Sequence, residues 1–288
     1  MLRTRGLLRR TGVLGPAMGP AQWAWGWILR RLDTSPAVET KVRLPNGLIF
    51  DIPPRTHFYW DLSTGLYEKE VVDLIEGFLR PGMTFVDLGA NIGYHSILAS
   101  RLVGPTGKVY AFEPDPYTFE YLAKNCAANQ CGNVELVNAA MTDQCGMAPF
   151  FSAGWGSFVL SHGAPQLPNS LSGASSPLRV RTTTADAFFA ARGWPRIDLI
   201  KMDIEGSEGV ALEGMADLSS RNPELRIVME FNPSAMRRAG MSAAGLANAL
   251  VRLGVRESYV IEQGVRRISD NQLLPSGGSV FNLLLTKD

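Results

Sequence analysis

The sequence is poor in cysteine and in histidine, with three of each among 288 residues. Cys126, Cys131 and Cys145 contain no C-x-x-C pair, and their odd number does not suit a disulfide framework. Both a zinc site and a set of disulfide bonds are therefore disfavoured. A reducing compartment, the cytoplasm, is the expected location.

The sequence also lacks an excess of charge. Charged residues make up 19% of the chain and the formal net charge is +1, which gives no support for a nucleic-acid partner. The body of the chain has no basic run with interleaved aromatic residues. Hydrophobic residues make up 45%, enough for a substantial core, so we expect one large α/β domain with additions.

The amino-terminal region has no continuous apolar helix. Four arginines within the first ten residues precede an uncharged run, Thr11–Leu29, which four glycines and two prolines interrupt. A spanning helix is therefore disfavoured, and no clear small-residue cleavage site follows. We expect residues 1–37 to be a loosely ordered extension with a short helix. The alternative is weak contact with a membrane surface through Trp23, Trp25 and Trp27.

Residues 84–93 are the stretch around which the chain is organised. Apolar and β-branched residues lead to Asp87 and predict a buried strand. Gly89 and Gly93 follow, and a helical pattern begins near Tyr94. A tight strand-to-helix turn needs glycine where φ is positive or where the backbone touches a ligand. The first N–H groups of the helix then face whatever lies at the strand end.

A second predicted strand, Lys108–Phe112, ends at Glu113. In a mononucleotide-binding βαβ unit, an acid at this position bonds the ribose hydroxyls of a nucleoside. The turn at Gly89 lacks the full G-x-G-x-x-G fingerprint. Asp87 stands where a pyrophosphate would fit badly and an ammonium group would fit well. A nucleoside that carries an amino acid and no phosphate is S-adenosylmethionine, which is the expected cofactor.

The first half of the chain alternates strand and helix patterns with short loops. Three such repeats predict parallel strands with right-handed crossovers. The predicted elements around the central motif are a hairpin over Val38–Ile52 with its turn at Pro45-Asn46-Gly47, a helix over Tyr67–Leu79, a helix around Phe119–Ala128 and a strand over Val134–Val137.

The segment from Cys145 to Thr184 breaks this rhythm. Two short strand-like runs, Ala148–Phe151 and Leu178–Thr182, flank a stretch near residues 154–177 that is rich in glycine, serine and proline. We expect this stretch to be a variable loop: a lid, a binding loop or a disordered segment. The pattern then resumes with strands over 197–203 and 225–230, helices over 205–215 and 241–253, and a closing antiparallel pair at 259–261 and 281–285.

Three motifs carry a resemblance to a known family: VDLGANIGYHS at 86–96, AFEPDP at 111–116 and IKMDIEGSE at 200–208, with Met229-Glu230 ending the next strand. The chain resembles the FkbM family of S-adenosylmethionine-dependent methyltransferases over residues 40 to 285. The third motif is much more particular to this family than the first two. His95 stands where an aromatic residue is expected.

The resemblance implies a fold and an activity. The fold is that of class I methyltransferases, a Rossmann-like three-layer α/β sandwich. Its sheet has seven strands, mostly parallel, and the last strand is antiparallel. The methyltransferase domain would span residues 38–288. The activity implied is O-methylation of a hydroxyl on a small molecule, a natural product, or a sugar or glycolipid. The sequence indicates no oligomeric state.

In an open α/β sheet, ligands bind beyond the carboxyl ends of the strands, where the predicted acids cluster. Asp87 is expected to face the methionine ammonium, and Asn91 the carboxylate end. Gly89 and Gly93 would allow close approach of the backbone to the cofactor.

Two more acids are assigned to the nucleoside. Glu113 is expected to take both ribose hydroxyls, because a carboxylate accepts two bonds at once. Asp143 is expected to accept a hydrogen bond from the adenine amino group. The alternative for both is a helix N-cap or a turn carboxylate.

Methyl transfer to an alcohol also benefits from a base, because the hydroxyl loses a proton. In one interpretation Asp203 or Glu205 takes that proton and Lys201 orients it. In the other, Lys201 and Asp203 form a structural ion pair, and Glu205 caps a helix that begins at Gly206. Glu230 is predicted to contact the substrate. Carboxylates at these positions are also possible magnesium ligands, but we expect no metal.

Two other functions remain open from the sequence. A nicotinamide-dependent oxidoreductase shares the strand, the turn and the ribose acid, but the incomplete glycine fingerprint and Asp87 argue against it. A non-catalytic S-adenosylmethionine-binding protein would keep the fold without the activity, and the intact set of strand-end acids argues against that.

Overall fold

The computed structural model of the chain describes residues 39–54, 62, 67–151, 158–159, 177–262, 265–268 and 280–288. The predicted amino-terminal extension, residues 1–37, lies outside the described residues, as does most of the predicted variable loop. Their roles, including the membrane contact, stay predictions. No helix in the described ranges combines the length and the apolar character needed to cross a bilayer.

The strands of the described chain are β1 (Thr40–Arg43), β2 (Ile49–Ile52), β3 (Thr84–Leu88), β4 (Lys108–Phe112), β5 (Val134–Val137), β6 (Ala140–Met141), β7 (Gly146–Phe151), β8 (Phe158–Val159), β9 (Leu178–Thr183), β10 (Leu199–Met202), β11 (Arg226–Phe231), β12 (Glu257–Val260), β13 (Arg266–Ile268) and β14 (Phe281–Thr286). The helices are α1 (Lys69–Phe78), α2 (Tyr94–Val103), α3 (Pro116–Ala128), α4 (Ala185–Ala190), α5 (Glu208–Glu213), α6 (Ala216–Arg221), α7 (Pro233–Arg238) and α8 (Ala243–Arg252).

The main sheet has the strand order β13-β12-β14-β11-β10-β3-β4-β5. The pairs from β11 through β5 are parallel, and β14 runs antiparallel between β11 and β12. The predicted sheet of seven strands with an antiparallel last strand is therefore confirmed. A short strand, β13, extends it at the β12 edge. The order along the chain reverses between β3 and β10, which places a ligand-binding crevice at their carboxyl ends.

Helices cover both faces of this sheet, as the alternation of side chains along its strands requires. Phe85 of β3 packs on one face against α1 and α2, in a cluster with Ile75 and Leu98. Its neighbour Val86 packs on the other face, in a cluster that includes Val210 and Leu246 from α5 and α8. The three-layer arrangement predicted by the resemblance is therefore present.

The predicted hairpin is also confirmed. Strands β1 and β2 pair antiparallel, with Val42 opposite Phe50. The outer edge of β2 is satisfied by asparagines of α3, because Asn125 Oδ1 accepts from Asp51 N at 2.7 Å and Asn129 Oδ1 accepts from Ile49 N at 2.9 Å. These bonds fasten the hairpin to the main domain.

A second sheet, which the sequence did not predict, contains β6, β9, β7 and β8 in that order. The two strand-like runs that flank the predicted loop pair antiparallel, with Ala148 opposite Val180. They bury a small apolar cluster that includes Ala140 and Phe150. The predicted loop near 154–177 is interrupted by β8, which pairs with β7.

Candidate functional site

The strand-end residues predicted from the sequence meet at the crevice between β3 and β10. Asp87 of β3 is paired in register with Lys201 of β10. Asp203 follows β10 directly, and its N–H donates to the carbonyl of Leu88 at 3.0 Å. Glu113 follows β4 on the other side of β3. The parallel sheet therefore brings these residues to one edge, as the register predicts.

The turn after β3 needs its glycines for packing as well as for conformation. Gly89 has φ 81°, and a Cβ atom there would lie 1.9 Å from the carbonyl oxygen of Asp203. Gly93 has φ 97°, and a Cβ atom there would lie 2.8 Å from Leu122 Cδ1. Asn91 adopts a left-handed conformation between them, with φ 52°. The turn thus packs directly against the segment after β10, and the predicted contacts of these residues with the cofactor stay predictions.

Asp87 is fully buried, and its two oxygens differ. Oδ2 accepts a hydrogen bond from Ser96 Oγ at 2.6 Å. Oδ1 has no hydrogen-bond partner among the described residues. Burial raises the pKa of Asp87, while Lys201 and the Ser96 bond oppose the shift. The free oxygen and the unfavourable burial fit the predicted contact with an ammonium group, which would satisfy both.

Glu113 is buried beside the turn, and both of its oxygens accept backbone N–H groups. Oε2 accepts from Asn91 N and Oε1 from Asp115 N, each at 2.9 Å. Each carboxylate oxygen retains further acceptor capacity for a hydroxyl group. Burial raises the pKa of Glu113 to about 7, although the two backbone bonds oppose the shift. The side chain is therefore held in place by the turn itself, and its predicted contact with the ribose stays a prediction.

Asp143 lies further along the chain, in the segment that follows β6. Its Cα atom lies 3.3 Å from the position a Cβ atom would take on Gly214. Its Oδ1 atom is buried without a hydrogen-bond partner among the described residues. An unsatisfied buried oxygen is suited to accept a bond from an amino group. The predicted contact with adenine stays a prediction.

Lys201 and Asp203 form an ion pair, with 3.2 Å between Nζ and Oδ2. The lysine side chain is 4% exposed and the aspartate side chain is 24% exposed. Burial opposes the charge on Lys201, but Asp203, Glu68 and Asp87 outweigh burial and raise the pKa of the lysine. Lys201 therefore stays charged and is no proton acceptor. The ion pair is compatible with both interpretations, since Lys201 can orient Asp203 as a base or form a structural pair with it.

The turn after Asp203 differs from the prediction. The helix begins at Glu208, not at Gly206, and Ser207 is its N-cap. The carboxylate of Glu208 accepts from Ile204 N at 2.9 Å and from Gly206 N at 3.3 Å. These bonds stabilise the turn from inside and explain the late start of the helix. Glu205 lies within this turn, with φ 56°.

Glu230 stands near the end of β11 and has an unusual environment for an acid. Its Oε2 atom is buried without a hydrogen-bond partner among the described residues. Burial raises the pKa of Glu230 to about 9, and nearby acids, Asp203 first among them, add to the shift. Glu230 is therefore protonated at neutral pH and can donate a hydrogen bond, as well as accept one.

Sequence reasoning missed two residues of this site, Glu68 and His95. Glu68 immediately precedes α1, and its Oε2 atom lies 3.5 Å from Nε2 of the buried His95. Burial lowers the pKa of His95 well below its usual value, and Lys201 adds to the shift, so the ring is neutral. In the sequence His95 stands out only because an aromatic residue is expected there, and nothing in the local sequence marks Glu68.

A small pocket opens beside the turn, between the hairpin side of the domain and β10. Its lining residues are Leu62, Tyr67, Gly89, Ala90, Asn91, Ile92, Tyr94, His95 and Lys201. Tyr67, Tyr94 and His95 form mutual ring contacts on one side of it, with centroids 5.2 to 5.7 Å apart. The pocket therefore combines aromatic walls with a buried cation and the glycine turn.

The acids near the ends of β10 and β11 were also considered as ligands for a magnesium ion. Within the described ranges, no three histidine, cysteine or acidic side chains are grouped so that they could hold a metal ion. Asp203, Glu205 and Glu230, which the sequence offered as possible magnesium ligands, are not gathered in such a group.

Comparisons with known proteins give a consistent assignment. The methyltransferase FkbM domain matches residues 87–257, more than half of the chain. The chain is 27% identical to the hexuronic acid methyltransferase AglP of Haloferax volcanii, over 70% of this chain and 79% of that protein. It is 28% identical to the 31-O-demethyl-FK506 methyltransferase FkbM of Streptomyces tacrolimicus, over 64% and 78%. It is 27% identical to the methyltransferase sdnD of Sordaria araneosa, over 53% and 68%.

Proposed function

The chain belongs to the FkbM methyltransferase family and takes S-adenosylmethionine as its cofactor, and we propose that it methylates a hydroxyl oxygen. The acceptor class that we propose is a small molecule, a natural product or a sugar. The names of two relatives support this choice, since one refers to a hexuronic acid and the other to an O-demethyl compound.

The observation that carries the proposal is the set of acids at the carboxyl ends of β3, β4 and β10. Glu113 is held by two backbone bonds beside a turn of positive-φ residues. Asp87 has a buried oxygen without a partner. A carboxylate in the first position suits ribose hydroxyls, and one in the second suits an ammonium group. A phosphate-rich dinucleotide would meet two buried acids there.

The residues proposed to hold the cofactor are Asp87, Gly89, Asn91, Gly93, Glu113 and Asp143. When bound, S-adenosylmethionine supplies a methyl group activated by its positive sulfur. The chain's contribution is to hold the acceptor oxygen in line with that methyl group and to exclude water.

The proton of the acceptor hydroxyl needs a destination, and we assign it to Oδ1 or Oδ2 of Asp203. Lys201 is charged and 3.2 Å from Oδ2, so it orients the carboxylate and takes no proton. Glu205, two residues further in the same turn, is the alternative acceptor. Glu230 is proposed to donate a hydrogen bond to the substrate, because its raised pKa of about 9 keeps it protonated at neutral pH.

Calorimetric titration tests the cofactor assignment against the rival oxidoreductase. We expect the purified chain to bind S-adenosylhomocysteine and to give no heat with NAD at the same concentrations. Binding of NAD in the absence of S-adenosylhomocysteine binding contradicts the proposal.

Activity tests the choice between an enzyme and a non-catalytic binding protein. Methyl-labelled S-adenosylmethionine is incubated with a panel of uronic acids, neutral sugars and polyhydroxylated natural products, and labelled products are separated by mass. On any substrate found, Asp203→Asn should lower kcat by about 100-fold or more if the carboxylate takes the proton. An unchanged kcat contradicts the role of Asp203 without affecting the cofactor assignment.

A reducing compartment is proposed as the working location, the cytoplasm being the simplest. All three cysteines lie in described residues and are free, and Cys126 is buried. Free cysteines in odd number suit such a compartment.

A further inference from the structure

Glu68 has an unusual backbone and an unusual position. It adopts a left-handed conformation, with φ 40° and ψ 48°, which residues other than glycine rarely occupy. It stands at the N-cap of α1, where an acidic side chain commonly accepts a hydrogen bond from a helix amide, and it makes no such bond. The Glu68 carbonyl accepts the N–H of Val72 at 2.9 Å, so its backbone belongs to the helix end while its side chain does not cap it. A strained residue whose side chain is directed away from the cap points to a function for that side chain.

The side chain of Glu68 contacts the pocket beside the glycine turn. Its Oε2 atom lies 3.5 Å from Nε2 of His95, which lines that pocket together with Tyr67 and Lys201. The His95 side chain is 4% exposed, and its Nε2 atom has no hydrogen-bond partner among the described residues. Oδ1 of Asp87 is also buried and unsatisfied. The unsatisfied His95 nitrogen in the pocket wall indicates that a polar ligand completes the pocket. Asp87 does not line the pocket, but it lies close enough to act on both Glu68 and Lys201.

The charges around Glu68 indicate the sign of that ligand. The charged and titratable groups that act on Glu68 are Lys201, which is positive, Asp203 and Asp87, which are negative, and Tyr67. His95 is neutral. One cation thus faces three acids, so the site has an excess of negative charge. Burial raises the pKa of Glu68 to about 7, with Lys201 opposing the shift. A cationic ligand would restore the balance and favour the ionised carboxylate.

We propose that Glu68 accepts a hydrogen bond from the ammonium group at the amino-acid end of S-adenosylmethionine, in the pocket lined by Tyr67, Tyr94, His95 and Lys201. This inference rests on the proposed function for the identity of the ligand. Glu68 precedes residues 87–257, where the family domain matches, so the match does not assign it. The start of α2, whose N-cap Gly93 supplies no side-chain bond, leaves helix amides for the carboxylate of the same ligand.

Comparing two ligands distinguishes recognition of the ammonium group by Glu68 from a general effect on cofactor binding. S-adenosylhomocysteine carries the amino-acid end, whereas 5′-methylthioadenosine has the same nucleoside and sulfur without it. Titration calorimetry of the whole chain measures the affinity for each. Glu68→Gln should weaken S-adenosylhomocysteine binding about ten-fold or more and change 5′-methylthioadenosine binding less than about two-fold, because a hydrogen bond between charged groups is lost in the first case alone.

Glu70→Gln is the matched control, because Glu70 is an exposed acid in the first turn of the same helix. It should leave both affinities unchanged. Glu68→Gly guards against misfolding, since glycine adopts the left-handed conformation readily while the carboxylate is removed. It should match the binding defect of Glu68→Gln and unfold at a temperature no lower than that of the unmodified chain.

Proton release gives an independent measurement. Binding of S-adenosylhomocysteine at pH 7 should release protons from the unmodified chain, seen as a dependence of the heat on the ionisation enthalpy of the buffer. Glu68→Gln should release fewer.

Three outcomes overturn the inference. Unchanged S-adenosylhomocysteine affinity in both Glu68 variants does so directly, and so does an equal loss for both ligands. Neither of these touches the proposed function. If the unmodified chain binds neither ligand, the proposed function fails and this inference fails with it.

Discussion

Lys201 on β10 lies beside Asp87 on β3, at paired positions of two neighbouring parallel strands, and both side chains are buried. An isolated buried charge is costly, so each of these residues depends on the other and on Asp203, which is 3.2 Å from the lysine. The two residues lie side by side at the end of the sheet where the ligand crevice begins, and each shifts the pKa of the other. Removing the charge of Lys201 should therefore lower the stability of the fold.

Lys201→Met should destabilise the chain strongly, because Asp87 and Asp203 would lose their buried cation. The expected loss in the free energy of unfolding is about 3–5 kcal/mol, measured by urea denaturation at pH 7. Lys69→Met is the control, because Lys69 pairs with Asp73 on the surface of α1 at 2.7 Å. That change should cost less than about 1 kcal/mol. Similar midpoints for the two variants would contradict the importance of the buried pair.

The pH dependence of stability should reflect Glu230. Its pKa is raised from 4.5 to about 9 in the folded chain, so the folded state binds more protons than the unfolded state between these values. The contribution of the protonated acid is therefore fully present below about pH 4.5 and is lost as the pH rises toward 9.

Glu230→Gln keeps a neutral group at this position at every pH. At pH 8 the variant should have a larger free energy of unfolding than the unmodified chain, by on the order of 2 kcal/mol, and at pH 4 the two should agree. Urea denaturation at both pH values measures this. Glu224→Gln is the control, because the Glu224 side chain is 74% exposed, and it should show no such dependence. If Glu230→Gln raised the free energy of unfolding equally at pH 4 and pH 8, the gain could not come from the ionisation of Glu230.

Gly89→Ala should destabilise the turn after β3 for two reasons. Alanine is disfavoured at φ 81°, and its Cβ would lie 1.9 Å from the Asp203 carbonyl oxygen. Gly254→Ala separates the two effects, because Gly254 has φ 74° and no atom within 4 Å of its Cβ position. The second variant should lose about 1 kcal/mol and the first clearly more. Equal losses of thermal stability would show that the contact with Asp203 relaxes.

Glu113→Gln should weaken the binding of S-adenosylhomocysteine and of 5′-methylthioadenosine alike, because both carry the ribose. Its two oxygens accept from Asn91 N and Asp115 N, and an amide group can accept only one of these bonds. We expect a loss of affinity of about ten-fold or more by calorimetry. Glu120→Gln, an exposed change on α3, should have no effect. A loss confined to S-adenosylhomocysteine would argue against ribose recognition by Glu113.

Local patterns were sufficient for most of the main sheet. Strands β4 and β5 begin and end where the sequence predicts them, and β3 extends one residue beyond Asp87. Each is a short, largely apolar run next to a residue that interrupts the pattern, such as Gly89, Glu113 or Asn138. The position of Asp87 near the end of β3 and of Glu113 just beyond β4 follows from those bounds. The second sheet was missed because its strands are short and pair across a long insertion, which no local period records.

The turn after Asp203 shows how a distant contact changes a local prediction. The pattern from Glu205 onward indicates a helix, yet the helix begins at Glu208. The carboxylate of Glu208 instead accepts hydrogen bonds from two amides of the turn, and the turn packs against Gly89, which follows β3. Propensity describes the helix correctly, but tertiary packing decides where it starts.

The sequence by itself determined the order along the chain of the parallel strands in the main sheet and the residues at their ends, because both depend on local periodicity and on glycine and proline. Only the tertiary structure decided the charge state of the site. Lys201 stays positive, Glu230 stays protonated and His95 stays neutral because burial and distant neighbours shift their pKa values. Those neighbours, Glu68 among them, come from segments far apart in the chain, and no window of sequence contains them together.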